Sequence, residues 1–297
     1  MDKSTNKVVA NAATKSKEML TMANDIYDAI NESATASEEL RTAVKSIFEK
    51  HGLAVARAFR DYSLNELSEM IDDGSASKLL NVGDECDIEL ITGEKITVVI
   101  LDFDHDDKAD GSGKATITLG LKNLMDGDFA MNLEDTNEGG WAKSRMRNVY
   151  MQRIFKLFPE EWQNIIVPVR KKTSIGGCSQ GIAEMEDKLF LFSVAEIFSS
   201  SAIKESDWST IKDNAAMYNA EGKQYAYYAR LIGDADPDDA QELLVKQKSN
   251  GSGSAGSWWL RSANPTISTA FHWIYSNGDV YYSSASSSDG VCFGFCI

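Results

Sequence analysis

Basic charge, cysteine, histidine and proline are all scarce in this chain of 297 residues. With 30 Lys and Arg against 45 Asp and Glu, the formal charge is −15. That balance argues against a general nucleic-acid or anionic-membrane binder, because both need a positive surface. The longest apolar runs, such as Ile96–Leu101, fall far short of the roughly 20 residues of a spanning helix, so no membrane insertion is expected. The start, Met1-Asp2-Lys3-Ser4, lacks the apolar core of a signal peptide. The four cysteines, Cys86, Cys178, Cys292 and Cys296, form no C-x-x-C pair and read as free thiols of a reducing compartment. No histidine follows Cys292 and Cys296 to complete a zinc site, so neither metal nor cofactor is expected. The three histidines, His51, His105 and His272, sit in no H-E-x-x-H, and no G-x-S-x-G elbow is present. The expectation is therefore a chain that is not an enzyme, with no catalytic residue assigned.

Proline is absent before Pro159, and residues 1–75 read as a helical region. Val9, Ala12, Ser16, Met19, Ala23, Ile26 and Ile30 fall on one helical stripe, as do Leu40, Val44, Ile47, His51, Ala54 and Ala58. Such stripes fit a coiled coil or helical hairpin. They are short and rich in alanine, so they need packing partners, including further copies of the chain. Thr35 with Glu38 and Ser63 with Glu66 match capping boxes; the second opens a helix ending near Asp72-Asp73-Gly74.

The pattern then changes. Asp87–Leu90, Lys95–Leu101 and Ala115–Leu119 predict strands. Trp141–Phe158 predicts a helix stopped by Pro159, and Ile165–Val169 and Phe190–Val194 predict strands. Asp234–Asp239 reads as a polar loop, Ala240–Lys248 as a short helix, Ser249–Ser257 as a linker, and the last 40 residues as β structure with turns. Short mixed elements without a βαβ rhythm predict an α+β fold. Gly251-Ser-Gly253-Ser-Ala-Gly256 formally matches G-x-G-x-x-G, but no strand precedes it and no helix follows, so it reads as linker. Asp102, Asp104, Asp106, Asp107 and Asp110 crowd one segment without EF-hand spacing. They read as a solvated acidic turn, with an opportunistic cation site as the alternative.

Residues 258–297 stand apart. Lys, Glu, Gln and Met are frequent up to Lys248 and absent after it. Ser, Tyr, Thr, Asn and Asp replace them, the palette of antibody binding loops, where Tyr gives rigid contact area and Ser and Asn adaptable hydrogen bonds. A Ser-rich β region that merely avoids long charged side chains is the alternative reading. Asn277-Gly278 predicts a two-residue hairpin turn. That turn would pair Phe271–Ser276 with Asp279–Ser284. Phe271, Trp273, Tyr275, Val280 and Tyr282 would then share one face, and His272, Ile274, Ser276, Asp279, Tyr281 and Ser283 the other.

Trp258-Trp259-Leu260-Arg261-Ser262, then Phe271, Gly278, Ala285, Gly290-Val291 and a final Phe-x-Phe strand resemble the ending of a known family. These are the C-type-lectin-fold variable proteins of diversity-generating retroelements in phages and gut bacteria. Val82-Gly83-Asp84, Asp102 to Asp106, Gly139-Gly140-Trp141 with Ser144 and Arg147, Leu189 to Ser193 with Glu196, and Glu221-Gly222 follow in the order of that family's lectin-fold domain. The resemblance covers about residues 79–297. It implies an α+β C-type-lectin-like ligand-display domain over 79–297, with 258–297 variable, preceded by the helical region 1–75.

In this family a retroelement mutates template adenines, and AAY codons cannot reach Lys, Glu, Gln, Met or Trp. The resemblance therefore implies ligand-binding, diversified positions at Thr266, Ile267, His272, Tyr275, Asp279, Tyr281, Tyr282, Ser283, Ser284, Ser286, Ser288 and Asp289. Trp258, Trp259, Arg261, Phe271, Gly290 and Phe293 would hold the frame. No Glu-Pro-Asn, Gln-Pro-Asp or Trp-Asn-Asp motif supports calcium-dependent sugar binding. The partner implied is a protein or cell-surface ligand, as for a phage receptor-binding or tropism protein, in a virion or the cytoplasm. No nucleic-acid partner is expected, and a homo-oligomer would form through the N-terminal helices. The competing readings are an enzyme resembling the formylglycine-generating type, which would need Cys292 and Cys296 as a reactive pair, and a structural prophage protein without a ligand.

Overall fold

The computed structural model describes residues 57–239, 241–249 and 253–297. The two long helical stripes lie outside the described residues except for the last position of the second, Ala58, which is not helical (φ −58°, ψ 144°) and precedes a 3₁₀ turn, Phe59–Asp61. Within the described residues the fold is α+β, as the alternation of short runs implies.

The third expected helix is α1, Leu64–Asp73. Ser63 accepts from the Glu66 backbone while the Glu66 carboxylate accepts from the Ser63 N–H, closing the capping box, and Gly74 at φ 70° ends the helix. A short α2 (Ala76–Leu79) leads into β1 (Glu85–Glu89), β2 (Lys95–Phe103) and β3 (Ile117–Leu121). The ribbon strand β4 covers Phe129–Ala130. The expected helix over 141–158 is broken: α3 (Gly140–Lys143) is followed by a π turn, Met146–Met151, and α4 (Gln152–Phe155). Ser144 is the reason. It is extended (φ −62°, ψ 146°), its hydroxyl donates to the Trp141 carbonyl at 2.9 Å and accepts from Arg147 N–H at 3.1 Å, so it competes with the helix ladder.

The expected strand Ile165–Val169 is displaced. Pro159 and two glutamates start α5 (Glu160–Ile165), and the strand β5 runs Val169–Ser174, paired with β6 (Ile182–Asp187). Strand β7 is Leu189–Leu191. Val194 belongs to α6 (Val194–Ile197), whose start is capped by the Glu196 carboxylate accepting from the Ser193 N–H at 3.0 Å. Four helices follow: α7 (Ser200–Glu205), α8 (Ser209–Asp213), α9 (Ala215–Ala220) and α10 (Ala226–Ile232). Of the helix expected at 240–248, the described residues 241–248 form only a 3₁₀ turn, Glu242–Leu244, before β8 (Lys246–Gln247). Part of the expected linker is β9 (Ala255–Gly256), paired to β8. The chain ends through β10 (Trp258–Ala263), β11 (Ala270–Ile274), β12 (Val280–Ser284), β13 (Ser288–Asp289) and β14 (Phe293–Cys296).

The main sheet has order β1-β2-β3-β14-β7, every pair antiparallel. The last strand thus sits inside the sheet between β3 and β7. Its phenylalanines pack edge-on to Phe158 and Trp162. A second sheet is the meander β10-β11-β12.

A buried ionic network joins β3, β5, α6 and β10. Lys171 Nζ is 2.6 Å from Asp106 Oδ1 and 2.5 Å from Glu196 Oε1. Arg261 grips both oxygens of Glu196, one at 2.8 Å, and donates to the carbonyls of Leu191 (2.7 Å), Lys172 (3.1 Å) and Glu221 (3.1 Å). Glu221 accepts from Ser174 N–H at 2.7 Å and from the Ser262 hydroxyl. Tyr225 and Thr118 donate to Asp106 at 3.0 and 2.8 Å. Burial by itself would raise Asp106 and Glu196. Lys171 acts against it at Asp106, and Arg261 with Lys171 at Glu196, and they hold both below the usual carboxylate range. Burial prevails at Glu221 and raises it.

Asp106 is therefore not part of a solvated turn; it is 6% exposed. Its acidic neighbours diverge. Asp102 caps Ala226 N–H at 3.0 Å, Asp107 pairs with Lys114, and Asp110 accepts from Ser112 N–H at 2.8 Å.

Candidate functional site

The meander β10-β11-β12 grades from frame to surface. Every residue of β10 is buried, β11 is buried except at Trp273, and β12 is exposed or half-buried beyond Val280. Trp258 and Trp259 are anchored by their indole N–H groups, which donate to Leu244 O at 3.3 Å and Phe129 O at 2.8 Å. The pairing of β10 with β11 is irregular between Trp259 and Ala263. There Arg261 turns its backbone N–H to Phe192 O at 2.8 Å and its side chain into the ionic network. All six expected frame residues, Trp258, Trp259, Arg261, Phe271, Gly290 and Phe293, are buried.

The hairpin exists, but with another loop. Tyr275 N–H donates to Asp279 O at 2.7 Å, and Ile274 pairs with Val280, leaving Ser276-Asn277-Gly278 as a three-residue loop. Only Gly278 in that loop has positive φ, 99°, the signature of a type I turn closed by a glycine bulge. A Cβ on Gly278 would lie 2.0 Å from Gln241 O, so the turn is also packed against the preceding segment. This one-residue change flips β12 relative to the expected pairing. Phe271, Trp273, Tyr281 and Ser283 are opposed on one face; His272, Ile274, Val280 and Tyr282 are on the other.

Of the expected ligand-binding residues, Thr266, Tyr275, Tyr281, Ser286 and Ser288 are exposed. Ile267, Asp279, Tyr282, Ser283, Ser284 and Asp289 are half-buried. His272 is the correction. It is fully buried, wedged edge-on between Trp208 and Tyr218, and has no surface to offer a ligand. Its Nδ1 is 3.0 Å from Tyr281 O. A carbonyl only accepts, so Nδ1 carries the proton and Nε2 accepts from the Tyr218 hydroxyl at 2.7 Å. Burial lowers its pKa to about 4, against the opposing pull of the Tyr281 carbonyl.

A histidine that titrates at about 6.5 when unfolded and about 4 when folded adds stability above pH 6.5. That stability is lost as the pH falls through the interval, because the unfolded chain binds the proton first. Urea unfolding at pH 4.5 and 7 should show wild type losing about 2–3 kcal/mol more than His272→Gln over that range. Equal losses in the two proteins would refute the assignment.

Two segments hold the surface loops. The Asn137 side-chain amide lies 3.0, 3.0 and 2.7 Å from the carbonyls of Asn264, Ile267 and Ala270. Asn264 Oδ1 accepts from the backbone of Thr266 and Ile267. Asp135 accepts from the hydroxyls of Ser284 and Ser286. Asp289 sits in the ribbon of β13 with β4, and burial, with Asp128 nearby, pushes its carboxyl up to about 7.

Trp208, in the turn before α8, was not indicated by periodicity. Its ring stacks on Tyr281 (5.9 Å, 16°) and Tyr282 (6.0 Å, 20°), which stack on each other (4.8 Å, 12°). A large aromatic residue flanked by Asp207 and Ser209 was the available signal.

The model of a family described as a domain of unknown function, DUF6273, matches residues 118–297, more than half of the chain. No curated protein and no solved structure matches it.

Proposed function

The chain belongs to the DUF6273 family, and from that premise we propose that it is a ligand-display protein with a C-type-lectin-like domain over residues 79–297. Its 258–297 segment would be a hypervariable surface recognising a host or target molecule, with phage receptor binding or tropism as the most concrete form. Residues 1–75 would anchor or oligomerise it, and repeated copies would convert weak single-site contacts into firm attachment.

One observation carries the reading. Eleven of the twelve positions expected to vary are exposed or half-buried, on β12, the loops about the meander and the β13–β4 ribbon, whereas the six expected frame positions are buried. A surface that must tolerate substitution needs that separation, since core positions feel every change of volume.

The formylglycine-generating alternative asks for reactive thiols. Cys292 and Cys296 are fully buried, Cys292 facing Leu121 O at 3.4 Å and Cys296 facing Asp106 at 3.6 Å. Burial raises both thiol pKa values, which leaves them protonated and poorly nucleophilic. The test is to sequence the DNA beside the gene. A near-copy of the 258–297 codons, differing chiefly at adenines and adjoining a reverse-transcriptase gene, supports the display reading. Absence of such a copy favours a structural protein without a ligand.

A further inference from the structure

The stacked rings of Trp208, Tyr281 and Tyr282 form an aromatic slab at the open edge of the meander, with Tyr281 51% exposed. The hairpin and the loop before the 3₁₀ turn meet beside it. Val280 N–H donates to Pro237 O at 3.2 Å, and Asp207 N–H donates to Asp236 Oδ2 at 2.9 Å. This junction brings Asp207, Asp236, Asp239 and Asp279 within electrostatic reach of Asp238. Burial and these four neighbours together raise the Asp238 carboxyl.

Lys212 acts on Asp236. The only Lys or Arg after residue 248 is Arg261, which is buried and committed to Glu196.

An aromatic face attracts cations through its quadrupole, Trp most strongly, and guanidinium and ammonium groups are the side chains that exploit it. The adjoining carboxylates add Coulombic attraction of the same sign and repel an anionic partner. We propose that this slab is the docking surface for a basic protein segment, one presenting arginine or lysine side chains that lie over the Trp208–Tyr281–Tyr282 rings and pair with the Asp207–Asp279 edge. The inference rests on the display reading and names the partner chemistry for that same face.

The test selects binders from a random dodecapeptide library on the full chain and measures affinities by fluorescence anisotropy. Two variants are compared. Trp208→Ala/Tyr281→Ala leaves the net charge unchanged, and Asp238→Asn/Asp239→Asn leaves the rings unchanged. A thermal melt checks that each is folded, and the exposed Asp238 and Asp239 pair keeps the test alive should loss of Trp208 unfold the chain.

The expected result is enrichment of Arg and Lys, with binding at least tenfold weaker in each variant and weaker again at high salt. Neutral or acidic peptides whose binding still needs the rings would overturn the cationic inference and leave the display face standing. Basic peptides that ignore the ring variant would mark diffuse attraction to an acidic protein and overturn the docking site. Selected peptides that ignore both variants would overturn the docking site and the use of this face together.

Discussion

Arg261→Met should destabilise the fold by about 3–5 kcal/mol, the usual cost of removing one partner from a buried ion pair. Against a total stability of about 5–15 kcal/mol, that is enough to leave the variant unfolded or nearly so at modest urea. The loss has two parts. Glu196 would keep only Lys171 as a cation, although Lys171 is already shared with Asp106. The carbonyls of Leu191, Lys172 and Glu221 would each lose a donor. Arg261→Lys should not rescue it, because a single ammonium cannot reproduce a planar fork that serves one carboxylate and three carbonyls.

Arg261→Met/Glu196→Gln should recover part of the loss, since it removes the stranded charge along with its partner. A double-mutant cycle should give a coupling of about 1–3 kcal/mol. Urea unfolding followed by circular dichroism decides it: an Arg261→Met midpoint within error of wild type would mean the network is not structural. The pH dependence has the matching sign. Asp106 and Glu196 are held low in the folded protein, so their contribution is complete above the ordinary carboxylate range and disappears as the pH falls through the lowered values.

That network also marks the boundary of what the sequence makes legible. Local signals carried well. The Ser63–Glu66 box, with Gly74 closing it, appears as α1, and the β-branched runs appear as β1, β2 and β3 within two residues. Asn277-Gly278 does mark a hairpin. Its loop length was misread because only Gly278 takes positive φ, whereas a two-residue type I′ turn needs it at both central residues. One residue of register then exchanged the faces of Tyr281 and Tyr282.

His272 and Asp106 were misread for a different reason. Each is polar in a polar stretch, and what buries them comes from elsewhere in the chain: Trp208 and Tyr218 for one, Lys171 and Tyr225 for the other. Asp106, Lys171, Glu196, Glu221 and Arg261 span more than half of the chain, and no local pattern announces that five ionisable side chains converge. Trp208 became part of the candidate face for the same non-local reason.

The neighbouring glycines 176 and 177 offer a second large and sharply comparative effect. Both are left-handed, at φ 65° and 63°, so alanine costs about 1 kcal/mol of backbone conformation at either. Their surroundings differ. A Cβ on Gly177 would meet only Glu138 Cγ at 3.6 Å, an ordinary contact, whereas on Gly176 it would lie 1.7 Å from the Asn137 carbonyl oxygen. Backbone cannot swing aside as a side chain does, so Gly176→Ala must move Asn137 or itself. Overpacking of this kind adds about 1–3 kcal/mol.

The expected losses are about 1 kcal/mol for Gly177→Ala and about 2–4 kcal/mol for Gly176→Ala. The second should reach the candidate surface, because the Asn137 amide that it displaces holds the carbonyls of Asn264, Ile267 and Ala270. Hydrogen exchange at Thr266, Ile267 and Ala270 should accelerate in Gly176→Ala beyond what its global destabilisation explains, and should not in Gly177→Ala. Asn137→Ala should reproduce the exchange pattern without the clash, since it removes the same amide. Equal stabilities for the two glycine variants would remove Asn137 as the brace of that loop. Unequal stabilities with unchanged exchange at 266–270 would place the brace elsewhere.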